Sequence, residues 1–285
     1  TELYKGVLER QKGKDKFFDE IINLEPFDYF NAASFYSRSF TEERLFYYSV
    51  FGGSPFYNSL INPGKNFVQN LKDLLLYHDA PLRNTIKSQL NEAFAKKYEA
   101  DELLVILAEM KFARYGELKT EFKNRSLSGD FDYTLNKLIE LGIIEKKAPL
   151  HYENDKKKFF YLFADSLYEF FYSWVFKQTE DDVLTEEIDK TYESKIKKGF
   201  EEEFFPRRLH FIAMEFIKRE GKKGKFKEDI LQVAPFFSNP RSLEWDGTIV
   251  AETLSGNYYV VLNTAKQQLD KKKVDSLVNF DLRRI

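Results

Sequence analysis

The sequence contains no cysteine, and only eight prolines and 13 glycines occur among its 285 residues. The absence of cysteine excludes a disulfide scaffold and thiolate chemistry, and the scarcity of proline and glycine argues against extended disorder. There is no run of about 18 apolar residues and no basic-then-apolar signal pattern at the N-terminus. We therefore expect a globular cytoplasmic protein that has no membrane partner.

An excess of charge of one sign is also lacking, because 44 Lys and Arg against 46 Asp and Glu leave a net charge of −2. No global positive field would therefore draw the whole chain onto nucleic acid. The three histidines, His78, His151 and His210, lack the spacing of a metal site, and no G-x-S-x-G motif is present. We therefore expect neither a zinc site nor a nucleophilic hydrolase.

Aromatic residues are abundant, with 29 Phe and 17 Tyr, and they fall in helical patterns. Between residues 27 and 98, apolar positions recur every three or four residues, which predicts three or four helices. Asp28, Thr41 and Asn66 are at N-cap positions. The pattern breaks at residues 52–55 (G-G-S-P) and 62–64 (N-P-G), where Gly permits unusual backbone angles and Pro begins the next helix.

Residues 101–163 carry the clearest supersecondary signal. Helices are predicted over 101–109, 115–122 and 128–141, and strands over 143–147 and 157–163. Three helices followed by a hairpin is the order of a winged helix-turn-helix. In such a unit these side chains should be buried together: Leu103, Leu107, Leu118, Leu135, Leu138 and Ile143.

The exposed positions of the third predicted helix lean acidic, which disfavours contact with phosphate. Basic residues nevertheless gather beside this helix and at the wing, and they are the candidate nucleic-acid-binding residues: Lys119, Lys123, Arg125, Lys137, Lys146, Lys147, Lys156, Lys157 and Lys158. A winged helix can bind DNA through such residues, or it can serve as a packing or protein-interaction module. The sequence leaves both interpretations open.

The remaining sequence predicts an aromatic core helix over 165–176, an amphipathic helix over 207–220 and a solvated basic turn at 221–225. Two strands follow, over about 244–251 and 258–263, and a helix from about residue 271. This strand pair resembles that of PD-(D/E)xK nucleases, in which two carboxylates hold a metal and a lysine stabilises the phosphate. Asp246 and Lys266 match that pattern, but Thr264 stands where the second carboxylate belongs. A hydroxyl does not replace an anionic ligand for a hard cation, so we expect no metal and no catalysis there.

Taken in order, several phrases resemble a family of prokaryotic (archaeal-type) AAA+ ATPases. These phrases are L-E-P-F-D-Y-F (residues 24–30), Y-S-V-F-G-G-S-P-F-Y (48–57), the winged-helix pattern and the last strand pair. The resemblance implies a P-loop domain, a helical lid, a winged helix and a C-terminal nuclease-like domain of unknown function. It also implies that G-G-x-P-x-Y joins lid helices near the nucleotide domain.

The sequence departs from this family in two respects. It contains no G-x-x-x-x-G-K-[ST], so ATP and Mg²⁺ are expected only in an N-terminal domain preceding Thr1. The family phrase P-x-R-F-E-E-I corresponds to residues 206–212, where His210 and Phe211 replace the two glutamates. Glu215, Glu244 or Glu252 could take over as ligands if a nuclease site survived.

We therefore expect a mainly α, multi-domain α+β protein. Residues 1–99 would form a lid-like helical region, 100–178 a winged helix-turn-helix, and 179–285 a degenerate restriction-endonuclease-like domain. The expected function is that of the regulatory and recognition portion of a AAA+-type ATPase, which binds DNA or a protein partner. The alternatives are an active nuclease with migrated acids and a purely protein-binding adaptor.

Overall fold

The structure, a computed structural model, describes residues 25–36, 41–125, 129–150, 152, 154–155, 157–177, 185–237, 243, 245 and 247–261. In these ranges helices dominate, and two small antiparallel sheets complete a mixed α+β fold. The helices are α1 (Tyr29–Ala32), α2 (Thr41–Phe51), α3 (Pro55–Ser59), α4 (Phe67–Leu71), α5 (Pro81–Ala93), α6 (Lys97–Met110), α7 (Tyr115–Asn124), α8 (Phe131–Glu140), α9 (Ser166–Phe170), α10 (Thr185–Thr191), α11 (Lys197–Gly199) and α12 (Phe205–Lys222). The strands are β1 (Ile144–Lys147), β2 (Phe160–Phe163), β3 (Ile230–Pro235), β4 (Ile249–Thr253) and β5 (Tyr258–Val261). No helix of these ranges is both long and apolar enough to cross a membrane.

Asp28 and Asn66 are N-caps as predicted, whereas Thr41 is the first residue of α2 and not its N-cap. The Asp28 side chain accepts a hydrogen bond from the Asn31 backbone N–H at the start of α1. Asn66 and Gln69 form a reciprocal capping box at the start of α4, which satisfies two N–H groups that the helix leaves free. The predicted breaks at residues 52–55 and 62–64 separate α2, α3 and α4.

Residues 97–163 form three helices followed by an antiparallel hairpin. β1 pairs with β2 in a register that places Ile144 opposite Phe163 and Lys147 opposite Phe160. The six apolar side chains predicted to be buried here are each at most 2 % exposed and belong to one cluster. The three helices and two strands predicted for this segment are therefore confirmed, although both strands are shorter than predicted.

A single hydrophobic core connects the helical regions. Its buried side chains run from Ala32 to Ile212 and include residues of the N-terminal helices, of the three-helix and hairpin unit, and of α9 to α12. The core crosses the positions 99/100 and 178/179, where the sequence places domain boundaries. The aromatic segment after β2 lies inside this core, because α9 and a π-helical turn over Phe171–Val175 bury Phe170, Phe171 and Tyr172.

The C-terminal sheet is an antiparallel meander in the order β3-β4-β5. Its first strand, β3, is not anticipated by the sequence pattern, and β4 begins at Ile249 rather than near residue 244. The sheet packs on α12 through a cluster that contains Met214, Ile217 and Val233. The three positions that define the nuclease-like pattern, Asp246, Thr264 and Lys266, lie outside the described residues.

Candidate functional site

The G-G-S-P loop is shaped by close approaches that only glycine allows. Gly52 has a φ of 56°, and a Cβ built there would lie 2.8 Å from the Ser166 Oγ. A Cβ at Gly53 would lie 1.9 Å from the carbonyl oxygen of Phe27, whose own N–H donates to the Gly53 carbonyl at 2.9 Å. The two glycines therefore let the N-terminal segment and α9 lie directly against this loop.

The tyrosine that ends the same phrase ties the loop to α9. The Tyr57 hydroxyl donates to Asp165 Oδ2 at 3.1 Å, and Asp165 also accepts the Leu167 backbone N–H at 2.8 Å as the N-cap of α9. Burial raises the pKa of Asp165, and the hydrogen bonds from Leu167 and Tyr57 oppose that shift only in part. The Tyr57–Asp165 hydrogen bond thus joins α3 to the turn that follows the hairpin.

A cavity of about 620 Å³, the junction cavity, lies where the N-terminal segment, the G-G-S-P loop, the residues flanking the hairpin (Gly142 and Ala164 to Ser166) and α12 meet. Glu215 lines it and accepts a hydrogen bond from the Tyr48 hydroxyl at 2.7 Å. Burial raises the pKa of Glu215, against opposing effects of Tyr48 and Arg208. Among the described residues no group of three or more His, Cys, Asp or Glu is placed to hold a metal ion. Glu215 is therefore engaged in packing α12 against α2.

Two adjacent arginines begin α12 and converge on one buried carboxylate. Arg207 and Arg208 each donate through NH1 to Glu169, the second at 3.2 Å, and the Glu169 side chain is only 5 % exposed. A lone Glu in an otherwise aromatic segment is the sequence signal that could have revealed this contact, because a buried carboxylate needs a cationic partner. At the positions where the family phrase has glutamates, the rings of His210 and Phe211 instead contact Trp245.

The candidate nucleic-acid-binding residues beside α8 are largely engaged within the protein. Lys119 is paired with Asp132 at 3.1 Å and hydrogen-bonds to the Tyr115 hydroxyl. Arg125 contacts the carboxylates of three glutamates, Glu102, Glu109 and Glu121. On the outward face of α8 the exposed side chains are Asp132, Tyr133, Asn136 and Glu140, while Lys137 is half-buried; Lys123 on α7 is exposed.

The hairpin lysines lie in a different environment. The Lys146 ammonium sits 4.8 Å from the centre of the Phe159 ring, and that of Lys158 sits 5.2 Å from the Tyr152 ring. Lys147 pairs with Glu145 at 2.6 Å, and Lys157 is exposed. Since β1 ends at Lys147 and β2 begins opposite it, the lysines at 147, 157 and 158 share the loop end of the hairpin. Lys156 lies outside the described residues.

In the tertiary structure, Lys218 of α12 lies near Lys147 of this hairpin, and Lys222 lies one turn further along α12. Partial burial lowers the pKa of Lys218, and the nearby charges of Lys147 and Lys222 lower it further. Lys147 is far from α12 in sequence, so this proximity arises only on folding. We call Lys147, Lys157, Lys158, Lys218 and Lys222 the basic surface; the sequence pattern placed the last two in or beside a solvated turn.

No protein-family model matches the chain, nor does any curated protein or solved structure. Function is therefore inferred from the geometry and charge of the side chains described above.

Proposed function

We propose that this chain is the recognition and regulatory portion of a AAA+-type ATPase, and that it binds the phosphate backbone of duplex DNA through the basic surface. The single observation that carries the DNA proposal is the convergence of hairpin and α12 lysines. The pKa of Lys218 is lowered by burial and also by the charges of Lys147 and Lys222, which lie close enough to repel it; a phosphate beside Lys218 would relieve that repulsion. Residues 97–163 act in this proposal as a winged helix whose wing makes the contact.

The proposed contact is with the backbone and not with base edges. The third helix of a winged helix usually enters the major groove, but α8 presents Asp132 and Glu140 outward. Hydrogen bonds from Tyr115 and Lys119 lower the pKa of Asp132, so its carboxylate stays charged at neutral pH. Carboxylates facing phosphates lower affinity, whereas the basic surface carries an excess of positive charge. Binding of this kind would show little preference for base sequence.

The ATPase part of the proposal rests on two observations. Residues 24–30 and 48–57 resemble phrases of the family, and these two segments contact each other in the fold. Both phrases meet at the junction cavity, where the Phe27 segment lies on Gly53. ATP and Mg²⁺ would be bound by a separate P-loop domain, because the chain has no P-loop sequence. The C-terminal meander would then act in recognition without cleaving.

The test is fluorescence anisotropy with a short labelled duplex, measured as a function of salt. We expect detectable binding at about 50 mM salt, with a slope of log affinity against log salt near −0.9 for each phosphate contact. Replacing Lys147, Lys218 and Lys222 with Gln should flatten this slope by about two to three units. Lys119→Gln is the matched control, because Asp132 already holds that ammonium.

Two results would contradict the DNA proposal. The first is an absence of duplex binding at about 50 mM salt, and the second is an equal loss of slope in the Lys119→Gln control. Either result would favour the protein-binding adaptor function, for which the outward face of α8 offers Tyr133, a side chain that is 55 % exposed.

A further inference from the structure

A second cavity, of about 320 Å³, lies between the end of α6, the π-helical turn Phe171–Val175 and the start of α12. Three side chains that line it carry buried polar atoms: the Ser173 hydroxyl, the Trp174 indole N–H and the Arg207 Nε–H. Among the described residues, none of these three atoms has a hydrogen-bond partner. Leaving a buried donor unsatisfied is unfavourable, so three such donors on residues that line one cavity indicate a missing acceptor.

The charges around this cavity favour an anion. Lys111, Lys177 and Arg207 line it together with two carboxylates, those of Glu109 and Glu203, so the cations are in excess by one. Lys111 pairs with Glu203 and Lys177 pairs with Glu109. Burial acts to raise the pKa of Glu109, but hydrogen bonds from Lys177 and Arg125 outweigh it and keep the carboxylate charged.

Arg207 donates to Glu169, a buried carboxylate that it shares with Arg208. Among the described residues, the Arg207 Nε–H has no hydrogen-bond partner. An oxyanion in the cavity that accepted this N–H would satisfy it and add negative charge beside the guanidinium group. Guanidinium groups bind carboxylates and phosphates through such charge-assisted hydrogen bonds.

The backbone around this cavity is irregular at three places. Lys111 adopts a φ of 65° although it is not glycine, a backbone conformation that is strained for a residue with a side chain. Two π-helical turns, Phe171–Val175 and Phe200–Phe204, supply Ser173, Trp174 and Glu203. Strained residues and π-helical turns occur frequently at binding sites, where they orient side chains that a regular helix would direct elsewhere.

We propose that this cavity binds a small organic oxyanion, a carboxylate or phosphate monoester with a small apolar body. Its oxygens accept hydrogen bonds from Arg207, Ser173 and Trp174, and its apolar part lies on Val105 and Ala108. The cavity volume is near the lower end of the range for ligand pockets, which fits a metabolite-sized ligand. This site is separate from the basic surface and does not depend on DNA binding.

Trp174 provides a direct signal, because Trp245 is the only other tryptophan. In a Trp245→Phe background, Trp174 emission is titrated with benzoate, phenyl phosphate and inorganic phosphate at constant ionic strength. We expect a saturable change with at least one organic anion, which binds several-fold more tightly than inorganic phosphate. The preference between benzoate and phenyl phosphate identifies the head group as carboxylate or phosphate.

Arg207→Gln should weaken binding of the preferred anion at least about tenfold, since a charge-assisted hydrogen bond is lost. The matched control is Arg219→Gln, which lies 12 residues further along α12, about 18 Å away, and is paired with Asp28. If Arg207→Gln does not fold, Ser173→Ala removes one donor without disturbing the ion pair, and it should weaken binding about two- to tenfold.

The proposal is overturned if none of the three anions changes the emission or releases heat in calorimetry up to about 10 mM. Tighter binding of inorganic phosphate than of both organic anions would also contradict it. So would an equal loss of affinity in the Arg219→Gln control.

Discussion

Replacing Gly53 with Ala tests the central contact of the junction between the N-terminal segment and the G-G-S-P loop. The added Cβ would lie 1.9 Å from the Phe27 carbonyl oxygen and 2.6 Å from its nitrogen, so the backbone of that segment must move away. The movement breaks the 2.9 Å hydrogen bond from Phe27 N–H to Gly53 and displaces the Phe27 carbonyl from the Tyr48 hydroxyl, 3.1 Å away.

Two hydrogen bonds at about 1 kcal/mol each, added to an overpacking cost of about 1–3 kcal/mol, give a loss of about 3–5 kcal/mol in unfolding free energy. Thermal unfolding followed by circular dichroism should show it as a fall in Tm of about 2–4 °C per kcal/mol. The matched control is Gly116→Ala in α7, where an added Cβ meets nothing within 4 Å. This control should be neutral or stabilising by up to about 1 kcal/mol.

The reasoning is refuted if Gly53→Ala and Gly116→Ala have the same Tm. Such a result would mean that the Phe27 segment does not contact the loop in solution. Added protease cleavage near residue 27 in Gly53→Ala alone would localise the effect to this contact.

Three further outcomes are expected. Since burial raises the folded-state pKa of Glu215, the stability that its protonated form contributes is lost as pH rises through that pKa. Urea unfolding of Glu215→Gln between pH about 5 and 8 should therefore show a gain in stability relative to wild type as pH rises. A difference in unfolding free energy between the two proteins that stays constant with pH would contradict this. Tyr172→Phe removes a buried 2.6 Å hydrogen bond to Asp101 and should cost about 1.5–3 kcal/mol, whereas the exposed Tyr98→Phe should change stability by under about 0.5 kcal/mol. Incubation with Mg²⁺ or Mn²⁺ should leave single- and double-stranded DNA uncut; cleavage that disappears in Asp246→Ala would refute this expectation.

The junction cavity is lined by residues of the two most specific sequence phrases, 24–30 and 48–57. Glu215 and Lys218 also line it, and Lys218 belongs to the basic surface. A contact made by Lys218 with DNA, as we propose, would therefore act one helical turn from the Tyr48–Glu215 hydrogen bond.

Local signals determined much of the helical part of the fold. The apolar spacing in residues 101–141 was enough to predict three helices, because burial there follows the helical period, and the short runs on either side of a polar turn predicted the two strands. Gly, Pro and cap residues likewise marked the ends of α2, α3 and α4, since these residues act through local backbone geometry. β3 was missed because Ile230–Pro235 contains a bulge and a proline, which obscure the alternation of a strand.

By itself, the sequence determined which segments are helical, where they break, and that two glycines in G-G-S-P are needed for a special backbone. The tertiary structure decided what those glycines contact, which charges are neutralised, and which come together. Lys119, Arg125 and Lys147 are each engaged by carboxylates. Lys147 also lies near Lys218, and Arg207 contacts Glu169. Pairings between residues far apart in the chain depend on how helices pack, and the periodicity of one segment carries no information about the charges of another.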